Sequence, residues 1–156
     1  MGCDIHYVIE QKSPNHGWFG IMATDAADAP RYDERKNFPL WKFKPRDYKF
    51  FNLLAGVRSY GDDDEENVPI GLPPDASRMT LHYVDFWEGD GHSHSHCSLH
   101  DFAVAKIKAD PVLTAQAASA KLEGKNPVEE FLCTNRLDIA DLGGIDAFRV
   151  CFWFDN

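Results

Sequence analysis

Positive charge is in deficit along this chain. Its 156 residues carry 16 Lys and Arg against 25 Asp and Glu, a net charge of −9. An acidic balance keeps a protein soluble and disfavours binding to phosphate backbones, so nucleic acid is not an expected partner. One local exception is Lys42, Lys44, Arg46 and Lys49, interleaved with Trp41, Phe43 and Tyr48. It reads as a solvated face with its aromatics turned inward.

Long apolar runs are also missing. No stretch approaches the ~20 apolar residues that a membrane-spanning helix needs. No signal peptide is apparent. Met1-Gly2 begins like an acylation signal, but His6 stands where that signal needs Ser or Thr. Cysteine is sparse: Cys3, Cys97, Cys133 and Cys151, with no C-x-x-C pair, which excludes a zinc ribbon. Reduced thiols in a cytoplasmic protein are expected. H-E-x-x-H, P-loop and dinucleotide fingerprints are absent. Gly91-His92-Ser93-His94-Ser95 has a central Ser but lacks the last glycine of a nucleophile elbow.

Apolar residues make up 44% and aromatics 13%, enough for a core, and the length argues for a single domain over 1–156. Residues 3–11 alternate as a strand, with Asp4, His6, Val8 and Glu10 on one face and Cys3, Ile5, Tyr7 and Ile9 on the other. Ser13 to Gly17 is a turn, and 18–23 returns as a second strand. Residues 24–46, with Pro30, Pro39 and Pro45, read as irregular. Asp47 is placed to cap an amphipathic helix over 48–58. Residues 61–67 form an acidic loop. Asp75 or Ser77 is placed to cap a helix over 78–86, and Ser98 one that starts at Leu99 with Asp101 as its acidic partner. Asp110-Pro111 and Asn126-Pro127 open two more helices. Residues 147–154 form a continuous apolar strand, buried on both sides. Strands, then helices, then a strand predict an α+β fold: a mainly antiparallel sheet with helices on at least one face.

The chemistry-bearing residues fall in two clusters, Cys3-Asp4-Ile5-His6 and Asp90-Gly91-His92-Ser93-His94-Ser95-His96. In an extended segment His92, His94 and His96 share one side and Ser93 and Ser95 the other. If the clusters meet, Asp4, His6, His92 and His94 form a divalent-metal site suited to zinc, manganese or iron. Such a site activates water for hydrolysis, with Asp90 as a base or orienting group and Arg46 or Arg58 neutralising an anionic substrate. A histidine cluster on a loop is equally a plain polar surface. Asp4-Ile5-His6 and Gly91-His92-Ser93-His94 echo the outer motifs of calcineurin-like metallophosphoesterases, but the middle motifs of that family are missing.

Met1-Gly2-Cys3-Asp4-Ile5-His6, Arg46-Asp47-Tyr48 with Leu54-Ala55-Gly56-Val57-Arg58, Gly71-Leu72-Pro73, and Gly89-Asp90-Gly91-His92-Ser93-His94-Ser95 occur here in order. Together they resemble a family of small proteins of tailed phages and prophages. Ile70 stands where that family often has Arg. The resemblance implies a phage origin and a bacterial host cytoplasm, and no particular reaction. Two functions are therefore expected as alternatives. One is a metal-dependent hydrolase acting on a small phosphoester or nucleotide-like substrate. The other is a non-enzymatic phage accessory protein that binds a host ligand or protein, any metal being structural.

Overall fold

The last strand holds the molecule together. In a computed structural model that describes residues 2–23, 46–58, 67–135, 137, 139 and 143–156, β1 (Ile5–Ser13), β2 (Gly17–Ala23), β3 (His92–Ser98) and β4 (Phe148–Phe154) form one antiparallel sheet in the order β2-β1-β4-β3. β4 is central, and every one of its residues is buried, as its apolar sequence predicts. The acidic loop over 61–66 and the irregular stretch 24–45 with Lys42 and Lys44 lie outside the described residues.

Both faces of the sheet are covered. On one side α1 (Tyr48–Ala55), α3 (Leu99–Ala109) and α5 (Pro127–Thr134) contribute to a core with Cys3, Ile5, Tyr7, Ile9, Val150, Phe152 and Phe154. α4 (Pro111–Leu122) packs on α3 and α5. On the other side α2 (Arg78–Phe86) places Met79 and Tyr83 against Val8 and Trp153. The architecture is an α+β domain, with helices on both faces of an antiparallel sheet. Among the described residues no helix is long and apolar enough to cross a membrane.

The helix caps follow from side-chain chemistry. Asp47, Ser77, Ser98, Asp110 and Asn126 each accept a backbone N–H of the first turn they precede. Ser77 is the cap of α2; Asp75 is used elsewhere. α1 stops at Ala55, earlier than the periodicity predicts, because Gly56 takes a left-handed conformation (φ 61°) and its N–H closes on Asn52 O at 2.8 Å.

The alternation on β1 holds, and α2 covers the face that carries His6, Val8 and Glu10. Glu10 is fully buried. Its carboxylate accepts the Ser77 N–H and the Thr80 hydroxyl, each at 2.6 Å, and the Arg149 Nε–H. Arg149 also reaches Asp75 at 2.7 Å, and the Trp18 ring lies 4.1 Å from its guanidinium carbon. Burial pushes the Glu10 carboxyl up, yet these hydrogen bonds outweigh it and hold the group below the usual glutamate range.

Candidate functional site

Sheet register brings the two sequence clusters to one end of the sheet. Ile5 pairs with Phe154, and Phe154 pairs with His92. The start of β1, the end of β4 and the start of β3 therefore coincide. Beyond the paired strands, Asp155 N–H donates to Asp4 O at 3.1 Å, and Asp4 N–H donates to Asp155 Oδ1 at 3.0 Å. β4 lies between the clusters, so β1 and β3 are about 10 Å apart, two strand spacings.

That intervening strand separates the proposed ligands. His6 is 5% exposed and its Nε2 lies 3.0 Å from Asp155 Oδ2. Its ring sits against Trp87, with centroids 4.2 Å apart, and parallels Trp153 at 6.0 Å. His94 parallels the same Trp153 ring, at 6.3 Å. The indole thus occupies the space between the two imidazoles.

His92 faces the other way. β3 fits His92–Ser95 against Phe154–Phe152, a β-bulge with one extra residue, and Ser93 takes φ 53° within it. The His92 ring lies over Phe154, whereas His94 lies over Trp153. Phe154 and Trp153 are neighbours on β4 and project to opposite faces. The expectation that His92, His94 and His96 share one side is therefore corrected, because it assumed a strand without a bulge. His96 Nδ1 is held by Gly71 O at 2.9 Å, where the segment before α2 covers the outer edge of β3.

Among the described residues no three His, Cys, Asp or Glu side chains are placed to hold a metal ion. Asp4, His6, His92 and His94 share one sheet end without converging on one point. As arranged, these donors do not fit a divalent ion. Asp90 is exposed in the turn before β3, with its N–H on Trp87 O at 3.1 Å.

Arg46 and Arg58 join the same end from the two flanks of α1. A side chain at Gly2 would overlap the Arg46 guanidinium. Arg58 lies near the buried Cys3 thiol and favours its ionised form, and its guanidinium carbon lies 5.9 Å from the Tyr48 ring centre. Burial still pushes the Cys3 thiol up, so it is not a thiolate at neutral pH. Arg46 (φ 61°), Arg58 (φ 60°) and Ser93 are the non-glycine residues with positive φ in the described chain, and all three border this end of the sheet. Such backbone costs on the order of 1 kcal/mol each and collects where a fold constrains a working site.

On the α2 face of the sheet a cavity of about 730 Å³ opens between α2 and the start of β3. Arg78, His82, Asp85, Trp87, Gly91 and His94 are among the residues lining it. Burial, with a smaller effect from His92, holds the His94 imidazole below the usual histidine range, so it is neutral at pH 7.

Asp155, Trp87 and Trp153 were not singled out in the sequence. Asp155 was within reach of the argument: an antiparallel neighbour for residues 3–11 that ends at 154 must place residue 155 beside the chain start. Nothing in sequence spacing signals the two tryptophans. No known protein family, curated protein or solved structure matches this chain.

Proposed function

We propose that this end of the sheet is a hydrolytic site for a small anionic ester, with Arg46 and Arg58 receiving the anion. The observation that supports it is the register row Ile5–Phe154–His92. It brings Asp4, His6 and the histidine segment, remote in sequence, to one end of the sheet, where Arg46 lies against Gly2 and Arg58 near Cys3. Arginine forks suit carboxylate and phosphate oxygens, and two of them supply local positive charge on a chain of net charge −9. The protein would act as a phage-encoded enzyme in the host cytoplasm.

A panel of phosphoesters, nucleotides and small carboxylic esters tests this, run with and without chelator. A fall of about tenfold or more in kcat/KM in Arg46→Ala and Arg58→Ala, mainly through KM, is expected, since each lost charged hydrogen bond is worth roughly 1.5–3 kcal/mol. Inactivity across the panel sinks the proposal. The metal-dependent form of it requires Asp4, His6, His92 and His94 to move together around an ion. Zinc, manganese and iron titrations followed by chelation test that form separately.

One observation favours the second reading, a phage accessory protein that binds a host ligand without turnover. His6, the histidine nearest the chain start, is sealed between Trp87 and Trp153, which suits bracing better than proton transfer. Saturable binding of an anionic ligand with no product formed is the result that would select it.

A further inference from the structure

We propose that Ser93 is a nucleophile and His92 its base, and that the ester cleaved is a small carboxylic ester. The inference rests on the hydrolytic reading of this sheet end and adds the reacting group.

Ser93 is the one strand residue other than glycine that has positive φ among the described residues. The bulge re-aims its side chain out of the regular alternation of β3. Its Oγ lies 2.9 Å from His92 Nδ1. Nucleophile and base are thus already at hydrogen-bond distance, the first geometric requirement for an activated serine. The imidazole is fixed: its ring lies over Phe154, with centroids 6.2 Å apart. His92 Nε2 is buried and has no hydrogen-bond partner among the described residues. With its proton on Nε2, the ring leaves the Nδ1 lone pair to accept the Ser93 O–H.

A cavity lies next to the serine. Ser93 is half-buried, and its neighbours Gly91 and His94 line the cavity beside α2. A Cβ at position 91 would come within 3.3 Å of both Trp153 Cδ1 and Trp87 O, so glycine there keeps the approach to the bulge narrow but free of a side chain.

The chemistry balances as acyl transfer to water. Ser93 Oγ bonds to the ester carbonyl carbon while its proton passes to His92 Nδ1. The carbon–oxygen bond to the leaving alcohol breaks, and that oxygen takes the proton from His92. Water then attacks the acyl-serine and gives one proton to His92. The acid departs, and Ser93 recovers its proton. No carboxylate supports His92 from Nε2 among the described residues, so the site acts on esters with good leaving groups.

The test is labelling of the full chain by a fluorophosphonate, read by peptide mass spectrometry, alongside p-nitrophenyl acetate hydrolysis. Adduct on Ser93 is expected, with ester turnover lowered at least about a hundredfold in Ser93→Ala. Ser93→Gly, which tolerates the positive φ, checks that loss is not misfolding; it must stay folded by circular dichroism and be equally inactive. In His92→Gln, labelling of Ser93 slows by about tenfold or more. No adduct on Ser93 in folded protein, or turnover unchanged in Ser93→Gly, overturns the inference. If Ser93→Gly keeps an activity that Arg46→Ala with Arg58→Ala abolishes, the sheet-end site stands and the nucleophile falls. If Ser93 is labelled and turnover of an ester with an anionic acyl side ignores both arginines, the nucleophile stands and the anion site falls.

Discussion

His6 Nε2 and Asp155 Oδ2 lie 3.0 Å apart, and the same Asp155 carboxylate accepts the Asp4 N–H through its other oxygen. One side chain therefore ties the beginning of the chain to its end and holds a buried imidazole in place. Asp155→Ala removes both bonds, one of them to an imidazole buried between two indoles. A loss of roughly 1–3 kcal/mol is expected, read as a lower urea midpoint with an unchanged slope. A midpoint within error of wild type would remove Asp155 from the account.

Arg149 is the counterion of the fully buried Glu10. Arg149→Met leaves that carboxylate without its charge partner, and breaking a buried pair from one side costs about 3–5 kcal/mol. Glu10→Gln combined with Arg149→Met removes both charges, and recovers stability relative to the single change. Equal stability of the single and double variants would contradict this.

The pH dependence of stability follows from the same carboxylate. Glu10 is held below the usual glutamate range in the folded chain, so the unfolded chain binds the proton more readily. Its contribution is complete above the unfolded pKa and is lost as pH falls through the depressed folded value. Acid unfolding that begins in the carboxylate range and shifts in Glu10→Gln is expected. An acid limb identical in the two proteins would count against it.

His94 provides a second titration with a distinct position. Its folded pKa lies below the usual histidine range because burial disfavours the imidazolium, with His92 adding a smaller push. Stability therefore falls as pH drops below the ordinary histidine value, where the unfolded chain takes up the proton first. Histidine NMR titration places the His94 midpoint below that of free histidine if this is right. A His94 midpoint at or above that of free histidine would refute the burial argument.

Gly91→Ala probes the narrow approach to the bulge. The added methyl meets Trp153 Cδ1 and Trp87 O, each at 3.3 Å. A backbone oxygen gives less readily than a side-chain end, so destabilisation of about 1–3 kcal/mol is expected, with altered tryptophan fluorescence. Unchanged emission and stability would show that the turn yields freely.

The fold was legible because its signals are local. Caps at Asp47, Ser77, Ser98, Asp110 and Asn126, the apolar run of β4 and the alternation of β1 each depend on neighbours a few residues away. The site was only half legible. That Asp4, His6, His92 and His94 share a region follows from strand order, whereas their failure to converge depends on two things that periodicity does not carry. One is the extra residue between His92 and Ser95. The other is the choice of β4, with Trp153, as the strand between them.

Steady-state kinetics on two esters with one leaving group, one carrying an anionic acyl side and one neutral, test the central claim most directly. Wild type is predicted to prefer the anionic ester by about tenfold or more in kcat/KM, and the Arg46→Ala Arg58→Ala double variant is predicted to lose that preference. No preference in wild type, or the same preference in the double variant, would contradict a site built around those two arginines.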